Sequence, residues 1–340
     1  MTNYLIMPGK MLEQYFYKPY EGICMRRRHH ADLWSEHEQV IEHAKDGFGI
    51  YSDSAGAVHI ICITDDNQLT YAVRKNGIWK KYVISKLNED IFVRQMRLYN
   101  VGGRLNLLYS ALYNGETLLI HCILGNHAKP STVAALESEH FCIYSNRAYF
   151  TNSEGVLGFV SLSDEKPSGF NPMYEDAHNA YVCGFQGKEF FVFTRSSALF
   201  INGEEILSDN RMEQPICIRG SNRVYVMWKS GGFVRYITTF NLGSVWSEPM
   251  RFMSTGKTIT LFEVQQGDAF SCYYGYQNTK DIVLFGKGEL FREESEYNLP
   301  APNELEKLKI LLDITRQEVL DAKKEISRLN STVDKLKGSR

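Results

Sequence analysis

Residues 46–86, DGFGIYSDSAGAVHIICITDDNQLTYAVRKNGIWKKYVISK, constrain the fold more than any other stretch of the chain. Four short apolar runs, Phe48–Ser52, Val58–Ile63, Leu69–Arg74 and Trp79–Ile84, are divided by Asp53-Ser54-Ala55-Gly56, Asp65-Asp66-Asn67 and Lys75-Asn76-Gly77. Asp, Asn and Gly have the chemistry of a tight reversal, so each divider predicts a turn. Four such strands, up and down within about 40 residues, predict the blade of a β-propeller.

The unit recurs. An apolar strand, a short turn and a second apolar strand appear as YLIMPGKMLEQYFY, GIYSDSAGAVHIICI, MRLYNVGGRLNLLYS, FCIYSNRAYFTN, YVCGFQGKEFFVF, ICIRGSNRVYVMW and LFEVQQGDAFSCYY. Their turns fall near residues 9, 55, 102, 147, 187, 221 and 267. That spacing lies in the propeller range. It predicts one all-β propeller over residues 1–296, with seven blades, and six as the alternative. The outer halves VLGFVSLSDEKPSGFNPMYED and SALFINGEEILSDN read as degenerate or shortened, and the ring is expected to close by packing alone.

Composition shifts after Glu296. Residues 297–302 form a short stiff linker, because Pro300 and Pro302 fix their own φ and disfavour helix in the residue before. Asn303 can then cap a helix to about Lys337, within a coiled-coil segment 303–340. Leu305, Leu308, Leu312, Thr315, Val319, Ala322, Ile326, Leu329, Val333 and Leu336 keep an unbroken 3-4-3-4 spacing. That is a coiled-coil seam, and its mostly β-branched a positions with Leu at several d positions lean to a parallel dimer, with a trimer second.

A net charge of −2 gives no electrostatic footprint for nucleic acid or an anionic membrane. No apolar run is long enough to span a bilayer and no basic leader opens the chain, so a cytoplasmic location is expected. The seven cysteines are odd in number and sit inside apolar strands, as in HIICIT and LIHCIL. They read as buried free thiols, with no CxxC metal clip.

The densest charge is Arg26-Arg27-Arg28-His29-His30, beside Glu36, His37, Glu38 and His43. It is the candidate partner-binding site, read either as an anion or acidic-partner site or as a solvated loop of offsetting charges. No HxH or HExxH spacing fixes two histidines on one face, so no metal and no cofactor is expected. Nucleophile elbows, P-loops and dinucleotide fingerprints are absent, and the reading is non-enzymatic. Asp53 and Glu263, at the ends of inner strands, are the kind of carboxylate found at a propeller mouth.

The unit of strand, Gly turn, aliphatic strand, Leu-Tyr strand and Gly-x-Trp strand resembles the repeats of sialidase-like and fucose-lectin-like propellers, most clearly over 46–84 and 216–252. The Ser-x-Asp-x-Gly-x-x-Trp box is not met by Ser52-Asp53-Ser54-Ala55-Gly56, and the Arg-Ile-Pro motif is missing, so the resemblance implies architecture only. Two functions stay open. One is an interaction scaffold, a propeller head that binds an unidentified protein and is oligomerised by its coiled coil. The alternative is a carbohydrate-binding or glycan-processing propeller using Trp34, Trp79 and Trp246 with Tyr51, Tyr99 and Tyr144 as stacking platforms. The first reading of these Trp rings is packing between adjacent blades, which would defeat that lectin reading, whereas rings lining pockets on one face would favour it.

Overall fold

The computed structural model describes residues 3–289 apart from 9–10, 30–32, 126–128, 164, 221–222, 240, 253–257, 278–281 and 286–287. Every regular element among them is a β-strand. The expected linker and the heptad positions from Leu305 to Leu336 lie outside the described residues.

The strands form successive antiparallel meanders. The first comprises β1 (Asn3–Ile6), β2 (Glu13–Lys18) and β3 (Gly22–His29), with an outer strand broken into β4 (Leu33–Trp34) and β5 (Glu38–Ile41). The second runs through β6 (Ala44–Ser52), β7 (Val58–Thr64), β8 (Gln68–Lys75) and β9 (Ile78–Lys86). The third is β10 (Phe92–Val101), β11 (Arg104–Tyr113), β12 (Glu116–Ile123) and the first half of the long β13 (Ser131–Tyr144). The second half of β13 opens the fourth, with β14 (Arg147–Asn152), β15 (Val156–Ser161) and β16 (Asn171–Glu175). The fifth is β17 (His178–Phe185), β18 (Lys188–Arg195), β19 (Ala198–Ile201) and β20 (Glu204–Ser208). The sixth is β21 (Glu213–Arg219), β22 (Val224–Ser230), β23 (Phe233–Thr239) and β24 (Met250–Phe252). The last is β25 (Thr260–Gln266), β26 (Ala269–Gln277), β27 (Ile282–Leu284) and β28 (Gly288–Glu289). This is the all-β propeller arrangement, and the outer halves that read as shortened keep two strands each, of 6 and 5 and of 4 and 5 residues against 8 and 9 in the second meander.

Turn chemistry explains the hairpins. Asn76 and Gly77 have φ of 52° and 79°, the two positive values that a two-residue type I′ turn requires. Such turns twist the way strands twist, which fixes register. Burial then falls mainly between meanders rather than at one centre. Tyr4, Ile23 and Met25 of the first pack on Phe48, Ile60 and Ala72 of the second, and Tyr51 and Ile61 of the second on Met96, Leu107 and Cys122 of the third. Each fully buried aliphatic or aromatic side chain there contributes about 1.5–3 kcal/mol. All seven cysteines are free, and Cys183 and Cys217 face each other between the fifth and sixth meanders.

Closure corrects the sequence reading. β1 pairs in parallel with β25, Asn3 opposite Phe262, Tyr4 opposite Glu263 and Leu5 opposite Val264. The first and last meanders therefore share one hydrogen-bonded sheet. Leu5 and Val264, opposite each other across the seam, are fully buried.

Candidate functional site

A cavity of about 380 Å³ lies where the first strands of all the meanders converge. Tyr4 comes from β1, Gly47 and Phe48 from β6, Arg94 to Arg97 from β10, and Ser138, Glu139 and His140 from β13. Asn179 and Tyr181 come from β17, Gln214 from β21, and Leu261 and Glu263 from β25. Pairing slips at this end of five of these strands: between Ala44 and Phe48, Val93 and Gln95, Leu136 and Phe141, His178 and Tyr181, and Glu213 and Ile216. A bulge adds an unpaired residue and re-aims its neighbours. Gly47, Asn179 and Gln214 hold positive φ of 95°, 54° and 45° at these slips. Irregularity in the ladder is thus what turns polar side chains into the cavity.

At its floor Arg97 donates to Glu263 Oε1 at 2.7 Å and to the Tyr4 hydroxyl at 2.9 Å, while Tyr4 donates to the Phe48 carbonyl at 2.8 Å. Glu263 is 4% exposed, and its Oε2 has no hydrogen-bond partner among the described residues. Burial raises the Glu263 carboxyl above its ordinary value, with Arg97 pulling the other way. Burial also opposes the Arg97 charge, but Glu263 and Tyr4 more than offset it and raise its pKa. Burial, then the Glu263 charge, holds the Tyr4 phenol far above its usual range. Tyr181 is raised in the same way by burial, Cys272 and Glu263. These phenols remain protonated donors and are poor nucleophiles.

His140 Nε2 lies 3.2 Å from the Ala180 carbonyl, which can only accept, so Nε2 carries the proton. Burial lowers His140 to about 4, leaving a neutral ring 4.9 Å from the Tyr181 ring and tilted 39° to it. Near the rim Arg94 sits 3.7 Å from Glu139, both half exposed or more. A second cavity of about 430 Å³ at the opposite end of the strands is lined by Met7, Ser52, Asp53, Gln265 and Asp268. Of the two carboxylates singled out from the sequence, Glu263 lines the first cavity and Asp53 the second.

The basic cluster lies elsewhere, on β3. Arg26 donates to Gln14 at 2.7 Å and covers the Trp34 ring at 4.4 Å. Arg27 bridges Glu13 at 3.1 Å and Glu38 at 3.3 Å. The Arg28 amide donates to the Leu12 carbonyl, His29 ends β3, and His30 lies outside the described residues. Glu13 also takes two bonds from Arg74 at 2.7 and 2.8 Å and one from Tyr15 at 2.7 Å, a buried network that the sequence did not disclose.

The expected stacking platforms are not open faces. Trp79 packs into the interface of the first two meanders, and Trp246 stands edge-on to Phe190 of the fifth at 6.0 Å. Tyr51 and Tyr99 are buried, and Tyr144 joins the core between the fourth and fifth meanders. A buried Trp228, whose Nε1 donates to Asp209 at 3.0 Å, completes the set of four.

No family model matches the chain, and no curated protein matches it. Among solved structures it is similar to a fungal lectin from Aleuria aurantia, described as a six-bladed β-propeller with a novel fucose recognition mode. Identity is 12%, coverage is 85% of this chain and 93% of that one, and the TM-score is 0.46. AofleA from Arthrobotrys oligospora shares 13% identity over 85% of this chain and 84% of its own, TM-score 0.45. The Hadza microbial sialidase Hz136 shares 9% over 74% and 70%, TM-score 0.41. Fucose-lectin and sialidase propellers, which the repeat units resemble, are among the solved structures to which the chain is similar.

Proposed function

We propose that this protein is a non-catalytic, seven-bladed propeller that binds a neutral, hydroxyl-rich ligand of the carbohydrate class in its central cavity. The observation that carries the reading is the convergence of amide, phenol, imidazole, guanidinium and carboxylate side chains from the inner strands on one cavity. Such a mixed set of donors and acceptors matches sugar hydroxyls, which both donate and accept. Charge supports neutrality: Arg97 is offset by Glu263, Arg94 by Glu139, and His140 is uncharged. The volume suits a small molecule, within the usual range of about 300–1,000 Å³. Protonated Tyr4 and Tyr181 favour binding over turnover.

The heptad segment 303–340 would display such heads as a dimer, gaining avidity for a repetitive glycan or an assembled protein target. Its removal, or Leu312→Asp with Ile326→Asp, should yield a monomer by light scattering.

Saturation-transfer NMR and calorimetry with neutral monosaccharides, uronic acids and hexosamines test the ligand class. Neutral sugars should bind, and Glu263→Gln should weaken them at least tenfold. Preference for uronic acids, or binding that ignores Glu263→Gln, would overturn the reading.

A further inference from the structure

We propose that Glu21, Cys24 and His37 form a binding site for a divalent metal ion of the zinc class. Their sequence spacing fits no familiar clip, because His37 arrives from a different strand. Glu21 closes the β2–β3 turn, its amide donating to the Lys18 carbonyl at 3.1 Å, and Cys24 follows on β3. The outer strand breaks between Trp34 and Glu38, and the residues in the gap bring His37 back over that turn. One oxygen, one sulfur and one nitrogen then lie within 4.8 Å of one another. Glu21 Oε2 is 2.9 Å from His37 Nε2 and 3.8 Å from Cys24 Sγ. Tetrahedral zinc with bonds of about 2.0–2.3 Å sets its ligands roughly 3.3–3.7 Å apart, so small side-chain shifts suffice.

A second observation points to a cation here. His37 Nε2 is shared between two groups of opposite demand: Glu21 Oε2 at 2.9 Å, which accepts, and Lys18 Nζ at 3.2 Å, which only donates. A single ring nitrogen cannot donate to the first while accepting from the second. A metal ion resolves the conflict, since the Nε2 lone pair and the carboxylate can both point at it. Lys18 also bridges Glu21, so its ammonium already holds a cationic position against two of the three ligands.

The balance is simple ligand exchange. Cys24 enters as a thiol whose Sγ lies 3.8 Å from Glu21 Oε2. The ion takes the thiolate, the carboxylate and the imidazole, the thiol proton leaves to solvent, and the Lys18 ammonium swings outward. No electron moves. Glu21 and His37 are 38% and 39% exposed, which leaves a fourth coordination position to water. The ion would pin the broken outer strand to the β2–β3 turn, adding a staple where the ladder is interrupted.

Cobalt(II) titration of the metal-stripped, reduced full chain tests the site. One equivalent should produce a thiolate-to-cobalt charge-transfer band with the visible bands of four-coordinate cobalt, both removed by zinc. Cys24→Ser should abolish the charge-transfer band, although six other cysteines remain. His37→Ala, at an exposed position that leaves folding intact, should weaken binding at least tenfold. Lys18→Met should tighten it several-fold by removing the competing ammonium. Absence of the band in the native chain, its persistence in Cys24→Ser, or unchanged affinity in both His37→Ala and Lys18→Met would overturn the assignment.

Discussion

The wall of the central cavity is built in two ways. From the second to the sixth meander the inner strand slips register on entering the cavity. The inner strands β1 and β25 keep uninterrupted register and bond to each other instead. The bulged strands contribute the varied polar groups, Arg94, Glu139, His140, Asn179 and Gln214. The straight seam contributes the fixed floor, Tyr4 and Glu263, held against Arg97. Regular pairing thus fixes Tyr4 and Glu263 in place, whereas broken pairing lets each unit present a different side chain.

The seam should be the more fragile half. Leu5→Asp places a charge at a fully buried position of β1. It should lower Tm by about 10 °C or more, since each kcal/mol moves a chain of this size by roughly 2–4 °C. A drop under 3 °C in calorimetry would show that the seam is dispensable. Next in size is the ion pair. Arg97→Met leaves Glu263 buried without its cation and should cost about 3–5 kcal/mol, while Arg97→Met with Glu263→Met recovers most of it. Urea unfolding of the two variants checks the order, and a double variant as weak as the single one would contradict it.

The bulged wall should show in pH. His140 is lowered to about 4 in the folded protein and reverts to about 6.5 when unfolded, so between these values the unfolded chain binds the extra proton. Stability should fall as pH drops from about 6.5 to 4, with His140 contributing up to about 3 kcal/mol. His59 and His121, also lowered by burial, act in the same direction. Glu263, being raised, acts oppositely by losing stability as pH climbs above the ordinary carboxylate range. Denaturant melts should show a shallower acid limb in His140→Gln. The smallest effect is expected at Gln214, strained at φ 45°. Gln214→Gly should raise stability by about 0.5–1 kcal/mol and weaken sugar binding, the trade expected where backbone strain serves a site. Loss of stability there would mean that the side chain is structural.

The straight parts of this architecture were legible and the bent parts were not. Asn76-Gly77 and Gly102-Gly103 announce reversals because so few residues accept positive φ, and the hairpins stand where those turns put them. Glu263 was visible as a carboxylate ending an inner strand. Its partner Arg97 was not, since 166 residues separate them and only closure makes them neighbours. Bulges such as that between Val93 and Gln95 shift the two-residue period by one, so alternation read across them misplaces the cavity-facing side chains. The Trp residues were legible as packing between blades, with the sugar platform as the other reading. A ring large enough to stack on a sugar is equally suited to fill the gap between sheets, and Trp79 and Trp246 do the latter.

The parallel bond of β1 to β25 has a consequence for how the molecule is made. The ribosome delivers Asn3 roughly 260 residues before its partner Phe262. At 5–20 residues per second, β1 waits roughly 10–50 s with its edge unpaired. Throughout that interval the nascent chain offers a free strand edge to any neighbour, including another nascent copy. Translation speed and chaperone occupancy early in synthesis should therefore govern yield more strongly than any later step, and a circular permutant joining the two edges in sequence should escape the dependence.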